Sequence, residues 1–87
     1  MQIVKTESGT EYIFQTDENG KQTFIRFGSG MITGEVIVHR NEIKVGNCLD
    51  FDFHKEGIYG QLQESVMTAQ SSPIVEITGT WCLAINS

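Results

Sequence analysis

Glycine spacing is the feature that most constrains the fold of this chain. Nine glycines and one proline divide the 87 residues into segments that have the length of strands rather than helices. Several segments are rich in β-branched and aromatic residues, which favour strands. The sequence therefore predicts an all-β fold, a small antiparallel barrel or sandwich, in a single domain that spans residues 1–87.

Seven to eight short strands follow from these segments. Residues 61–69 also have apolar side chains at helical offsets, but we favour a strand there. Residues 71–73 are predicted to form a loop or a sheet edge, since they are two serines and the single proline. The principal predicted strands are Gln2–Thr6, Glu11–Thr16, Lys21–Phe27, Met31–Arg40, Cys48–Lys55, Gln61–Ala69, Ile74–Thr78 and Thr80–Ile85.

Two local patterns are especially clear. Asp17–Gly20 reads Asp-Glu-Asn-Gly, a composition typical of a tight hairpin turn, because Asn and Gly tolerate positive φ. Cys48–Lys55 alternates between apolar and polar residues, as a strand does when one face is buried. Leu49, Phe51 and Phe53 are therefore predicted to lie in the core.

The charge and hydropathy of the chain disfavour several classes of function. The net charge is −5, and basic residues are not clustered as binding to a phosphate backbone requires, so we do not expect a nucleic-acid ligand. No segment resembles a signal peptide, and no apolar run is long enough to cross a bilayer. We expect a cytoplasmic protein that does not act at a membrane.

The polar face of the Cys48–Lys55 strand is the first candidate for chemistry. Asp50, Asp52 and His54 alternate along it, with His39 or Glu42 as a further contributor, but residues two apart on a strand are roughly 7 Å apart. Such spacing favours a solvated face over a metal site. No nucleophile and base occur in a recognisable arrangement, so we predict no enzyme, no metal site and no cofactor.

A glycine-rich segment is the second candidate. Gly28, Ser29 and Gly30 interrupt the chain where backbone amides could bind an anion, although no phosphate-binding motif or helix follows. Arg26, Arg40 and Lys44 would supply positive charge between subunits. We favour a simple connection or bulge between strands here, and the alternative is an oligomeric sponge for a small anionic ligand, such as a signalling nucleotide.

Two aromatic residues are candidates for an interface, although core packing is the favoured interpretation for Trp81. Tyr59 lies between two glycines in a predicted loop, and Trp81 lies in the apolar final segment. An apolar edge strand with few charges invites pairing with another chain, so we expect a homo-oligomer.

Several short motifs resemble those of small β-rich proteins encoded by bacteriophages and prophages. Residues 4–12 read V-K-T-E-S-G-T-E-Y, residues 45–46 read V-G, and residues 72–77 read S-P-I-V-E-I. These proteins begin with a similar T-x-S-G-x-x-Y and end with a similar S-P-V-V-x-I. The resemblance implies a phage or mobile-element setting, and a cytoplasmic location inside the host cell.

Three functions are compatible with that setting. The first is a non-enzymatic binding module, an accessory protein that binds a host or viral protein. The second is the sponge for a small anionic ligand, and the third is a minor structural or assembly protein.

Overall fold

The structure is a computed structural model that describes residues 1–79. These residues form strands and connecting turns, without an α-helix. The strands are β1 (Gln2–Thr6), β2 (Glu11–Thr16), β3 (Gln22–Phe27), β4 (Met31–His39), β5 (Cys48–Lys55) and β6 (Met67–Gly79).

The six strands close into an antiparallel barrel. Each strand pairs with its neighbour in sequence, and β6 pairs with β1 to complete the ring. Closure allows both edges of a short sheet to be hydrogen-bonded and encloses one apolar interior. The prediction of an all-β fold is confirmed, and the fold is the barrel rather than the sandwich.

The interior is filled mainly by aromatic side chains. Phe51 is completely buried, and its ring meets those of Phe24 and Phe14 edge to face, at centroid distances of 5.0 and 5.6 Å. Such pairs add about 0.5–1.5 kcal/mol beyond the burial of their area. The predicted core positions Leu49, Phe51 and Phe53 are confirmed. The buried apolar residues are Val4, Tyr12, Phe14, Phe24, Leu49, Phe51, Phe53 and Ile74.

Gly34 lies where the aromatic core is closest to the barrel wall. It pairs with Phe24 on β3 and with Lys55 on β5. A Cβ atom at this position would clash with the backbone carbonyl of His54 and come within 3.1 Å of the Phe24 ring. Glycine is therefore required here by contact, and not by an unusual backbone angle.

The number of strands corrects the sequence prediction, since residues 1–79 form six strands rather than seven or eight. Residues 61–66 are neither the predicted strand nor a helix, and only Leu62 among them forms an isolated bridge, with Glu56. The strand begins at Met67, where pairing with Phe53 starts. The predicted final strand, Thr80–Ile85, lies outside the described residues.

The prediction of a loop or sheet edge at residues 71–73 is wrong, because these residues lie inside β6 of the closed barrel. Here β6 changes partner from β5 to β1, and the pairing shifts register on both sides. The Ser71 hydroxyl accepts a hydrogen bond from the Leu49 amide at 2.8 Å, so a side chain replaces a backbone partner. Proline is tolerated at such irregular points of a sheet, and two predicted strands merge into one.

The Asp17–Gly20 turn is confirmed as a hairpin between β2 and β3. The Asp17 carboxylate accepts hydrogen bonds from the amides of Asn19 and Lys21, both at 2.9 Å. Because consecutive strands run in opposite directions, this turn and residues 40–47 connect strands at one end of the barrel. Residues 7–10, 28–30 and 56–66 connect them at the other end.

Candidate functional site

The connection between β5 and β6 projects beyond the barrel as a short hairpin, residues 56–62, which we call the finger. The Gly57 amide donates a hydrogen bond to the Gln61 carbonyl at 2.8 Å, and Glu56 bridges to Leu62. Below it, the Gln63 amide donates to the Lys55 carbonyl at 2.8 Å. The finger is thus an extension of β5 with its own backbone hydrogen bonds.

The tip of the finger consists of two large, mainly apolar side chains, those of Ile58 and Tyr59. Gly60 has a φ of 81°, and its amide donates to the Gly57 carbonyl at 3.0 Å, which closes the turn. Ile58 and Tyr59 occupy the central positions and are 95% and 89% exposed. Nearly the whole of both side chains is therefore in contact with solvent.

Two other turns of the barrel have the same hydrogen-bonding pattern, at residues 6–10 and 17–21. In each, the first amide donates to the fifth carbonyl, and a fourth-position glycine donates to the first carbonyl. Gly9 and Gly20 have φ angles of 91° and 82°, close to that of Gly60. Their central residues are Glu-Ser and Glu-Asn, the kind that turns prefer. The finger alone among these three turns carries apolar central residues.

Further exposed apolar side chains lie at the same end of the barrel. The Glu56 amide donates to the Thr33 carbonyl at 2.9 Å, and the Thr33 hydroxyl donates to the Glu56 carboxylate at 3.2 Å. These bonds tie the base of the finger to β4 near the β3–β4 hairpin. The finger and the exposed apolar residues around it make up the apolar end: Phe27, Met31, Ile58, Tyr59, Leu62, Val66 and Met67.

Of the predicted anion-binding residues, Arg40 is already engaged by acids of its own chain. Its guanidinium donates to the Asp52 carboxylate at 2.6 Å and to the Asp50 carboxylate at 3.3 Å. The hydrogen bond from Arg40, and then that from the Thr68 hydroxyl, lower the pKa of Asp52. The hydrogen bond to Asp52, together with the negative charges of Asp52 and Asp50, raises the pKa of Arg40. A ligand phosphate would compete with two carboxylates for this side chain.

In one chain, the predicted anion ligands are divided between the two ends of the barrel, with Arg40 and Lys44 in the β4–β5 connection and the others near the β3–β4 turn. Arg26 belongs to the inward-facing row of β3 and pairs with Ile32, eight residues before Arg40 along β4, which is roughly 25 Å of extended chain. Burial raises the pKa of Tyr12, and the nearby Arg26 opposes that rise. Gly28, Ser29 and Gly30 form the β3–β4 turn at the apolar end, whereas Lys44 lies at the opposite end, 4.0 Å from Glu42. One chain does not bring these residues together.

The alternating row Asp50, Asp52 and His54 lies on the outer face of β5. Asp50 and Asp52 are held by Arg40, while His54 Nδ1 lies 3.3 Å from the Ser65 carbonyl oxygen. His39 is on the inner side of the barrel, against the Phe14 and Phe51 rings. Within residues 1–79, no group of three or more His, Cys, Asp or Glu side chains is placed to hold a metal ion.

Only part of the apolar end was predicted from the sequence. Tyr59 was predicted as an interface residue and is at the tip, but Ile58, Leu62 and Val66 were missed. The signal was present in the repeated position of glycine: T-E-S-G, D-E-N-G and G-I-Y-G align as three turns. Trp81, the second predicted interface residue, lies outside the described residues.

No protein-family model, curated protein or solved structure matches this chain. Residues 1–79 contain no helix with the length and apolar character needed to span a membrane.

Proposed function

We propose that this protein is a non-enzymatic binding module that docks on a protein partner through its apolar end. One observation carries the proposal: the finger has the backbone of two polar turns but presents Ile58 and Tyr59 to solvent. These two side chains do not contribute to the stability of the barrel core, because they are almost fully exposed. A partner surface that covers them gives them a physical role.

The energetics of association favour such a tip. Burial of an exposed isoleucine or aromatic side chain is worth about 1.5–3 kcal/mol, and tyrosine is among the residues most often found at binding hot spots. Because backbone hydrogen bonds already order the finger, binding costs little conformational entropy. We therefore assign Tyr59 as the anchor and Ile58 as its neighbour in the contact.

The chemistry of the partner follows from the surface. An isoleucine and a tyrosine fit an apolar pocket with a hydrogen-bonding group at its rim for the phenol. The chain's net charge of −5 favours a protein over a nucleic acid. The resemblance to phage and prophage proteins suggests a host or viral protein in the host cytoplasm.

The test is an exchange of turns. Ile58→Glu with Tyr59→Asn gives the finger the central residues of the Asp17–Gly20 turn, on a backbone that already accommodates them. The control, Glu18→Ala with Asn19→Ala, alters the polar turn at the opposite end. Tagged wild-type and variant proteins are used to capture partners from host lysate, and the captured protein is then purified and titrated.

We expect the finger exchange to weaken binding of the purified partner about 30-fold or more, as loss of a hot spot does. The control should bind as the wild type does. The finger exchange should leave the free energy of unfolding within about 0.5 kcal/mol, since both side chains are exposed. Unchanged affinity, or the lack of any stoichiometric partner, would contradict the proposal. Self-association that the exchange abolishes would identify a second copy as the partner, the assembly role.

A further inference from the structure

Strand β4 extends beyond its ladder with β3. The β3–β4 register ends at Thr23 and Glu35, whereas β4 continues to His39. Along that extension Val38 pairs with Asp52 of β5, on the other side of β4. The ladder that closes the barrel between β3 and β4 therefore stops before the last residues of β4, which leaves a local opening.

A bulge explains the opening. The β4–β5 register shifts between Val36 and Val38, so Ile37 is an extra residue in β4. A bulge bends its strand and increases the local twist, which moves the end of β4 away from β3. A cavity of about 390 Å³ occupies the resulting gap, which we call the β4 slot. One wall includes Thr16, Lys21 and Gln22, and the other is residues 35–39.

The slot has a closed floor. His39 Nε2 and Gln22 Oε1 are 2.7 Å apart, a hydrogen bond that joins the two walls on the inner side. The His39 ring also packs against the rings of Phe14 and Phe51, both at a centroid distance of 5.3 Å. A ligand in the slot would therefore lie between the strands without entering the aromatic core.

The walls carry one charge of each sign. Lys21 and Glu35 both line the slot, and within residues 1–79 neither takes part in an ion pair. Ile37 and Val38 are each 47% exposed beside them. The slot thus combines a strand edge, apolar side chains and two charges that are available to a ligand.

We propose that the β4 slot binds an extended peptide segment of a protein by strand addition beside β4, with an acidic residue at Lys21 and a basic residue at Glu35. Strand addition derives affinity from backbone hydrogen bonds and specificity from the alternating side chains. A small anion fits less well, because Glu35 would repel it and, among residues 1–79, Lys21 is the only lysine or arginine in the lining. The proposal concerns a different surface from the finger and does not depend on it.

The probes are capped five-residue peptides with a Val-Thr-Val centre: Glu first and Lys last, Lys first and Glu last, and Gln at both ends. Each is titrated into ¹⁵N-labelled protein and followed by amide chemical shifts. We expect shifts at Lys21, Gln22 and residues 36–39, with none in the finger. We also expect about five-fold tighter binding of one charged order than of the other, as partly exposed ion pairs give.

Charge exchange gives the decisive comparison. In the double variant Lys21→Glu with Glu35→Lys, the preferred order of charges should reverse, which loss of structure would not produce. The control Lys44→Glu makes a charge change outside the slot and should keep the wild-type preference. Absence of shifts at millimolar concentrations of all three peptides would overturn the proposal, as would equal affinity for them. Free lysine and glutamate giving the same shifts would indicate a small-molecule site and also overturn it.

Discussion

The finger turn at residues 57–61 and the polar turn at residues 17–21 have the same backbone hydrogen-bonding pattern but expose different side chains. Both are closed by a pair of backbone hydrogen bonds of 2.8–3.1 Å, and both have a glycine with φ near 80° at the fourth position. In the polar turn the Asp17 carboxylate also accepts two hydrogen bonds from backbone amides, whereas the finger turn begins with Gly57, which has no side chain that could accept them. The polar turn is thus stabilised locally, while the finger exposes Ile58 and Tyr59.

This difference shows that the backbone shape of a turn and the side chains that it exposes to solvent are independent of each other. The glycine and the backbone bonds define the shape of the turn, so its two central positions are open to any residue that tolerates solvent. Polar residues fill them at residues 7–8 and 18–19, and apolar residues fill them only at the tip of the finger. Because the same shape forms with either kind, the apolar choice is best explained by a surface outside the barrel.

The largest expected effect tests whether the barrel wall, rather than either turn, dominates stability. Gly34→Ala places a methyl group against the His54 carbonyl and the Phe24 ring, both held by the closed sheet. We expect a loss of about 3 kcal/mol in the free energy of unfolding, measured by urea denaturation. Gly30→Ala, with open space around it, is the matched control and should lose much less. Equal losses would show that the wall is not tightly packed at Gly34.

The next effect tests the claim that the two turns share a backbone. Gly20→Ala and Gly60→Ala each force a Cβ into the left-handed region, with a cost of about 1–2 kcal/mol. Since the two φ angles are 82° and 81°, the two losses in urea denaturation should agree closely. A cost at Gly20 alone would mean that the finger relaxes without affecting global stability, and the comparison would fail.

A smaller effect measures the local support that only the polar turn has. Asp17→Ala removes the acceptor for the Asn19 and Lys21 amides, both near solvent. We expect a loss of about 1 kcal/mol, in the range found for removal of a side chain that caps backbone amides. Glu18→Ala removes a neighbouring charge without an amide partner in the described bonds and serves as the control. If the two variants are equally stable, Asp17 does not support the turn.

The smallest expected effect is a pH-dependent loss of stability that is greater at the end of the barrel containing His39 than at the end containing the finger. Burial lowers the pKa of His39 below the ordinary value of 6.5, so the folded state favours the neutral ring. The unfolded chain takes up the proton first as pH falls, so the stabilisation is complete above pH 6.5 and is lost as pH falls through the folded-state pKa.

Hydrogen exchange can locate this effect. Amides of residues 21–22 and 36–39 should lose protection between pH 7 and pH 5.5, after correction for intrinsic rates. Amides in the finger should change less, because it lies at the other end. His39→Gln should remove the difference, while His54→Gln should preserve it. Equal loss of protection at both ends would mean that the proton acts on the whole barrel.

Local chemistry made part of this structure predictable. The alternation from Cys48 to Lys55 identified three core residues, because a strand with one buried face repeats every two residues. Asp17–Gly20 identified a hairpin, because Gly20 accepts the positive φ of 82° that this turn requires. Tyr59 was identified as exposed because it lies between two glycines, although its companion Ile58 was not.

Other features depend on partners distant in the sequence. Pro73 looked like a break, yet it lies in β6 where that strand leaves β5 for β1. Arg40 looked available to an anion, yet Asp50 and Asp52 meet it across a strand pair. Neither feature can be predicted from the neighbouring residues in the sequence, because each depends on the register between paired strands.

The sequence by itself determined that this chain makes short antiparallel strands joined by glycine turns, because turn angles and side-chain alternation are properties of a few adjacent residues. Tertiary structure decided the closure of the barrel, the course of β6, the opening beside β4 and the pairing of Arg40. It also decided that the finger projects from the barrel with its apolar tip uncovered. These features arise from pairing and packing between distant segments, which only the folded chain specifies.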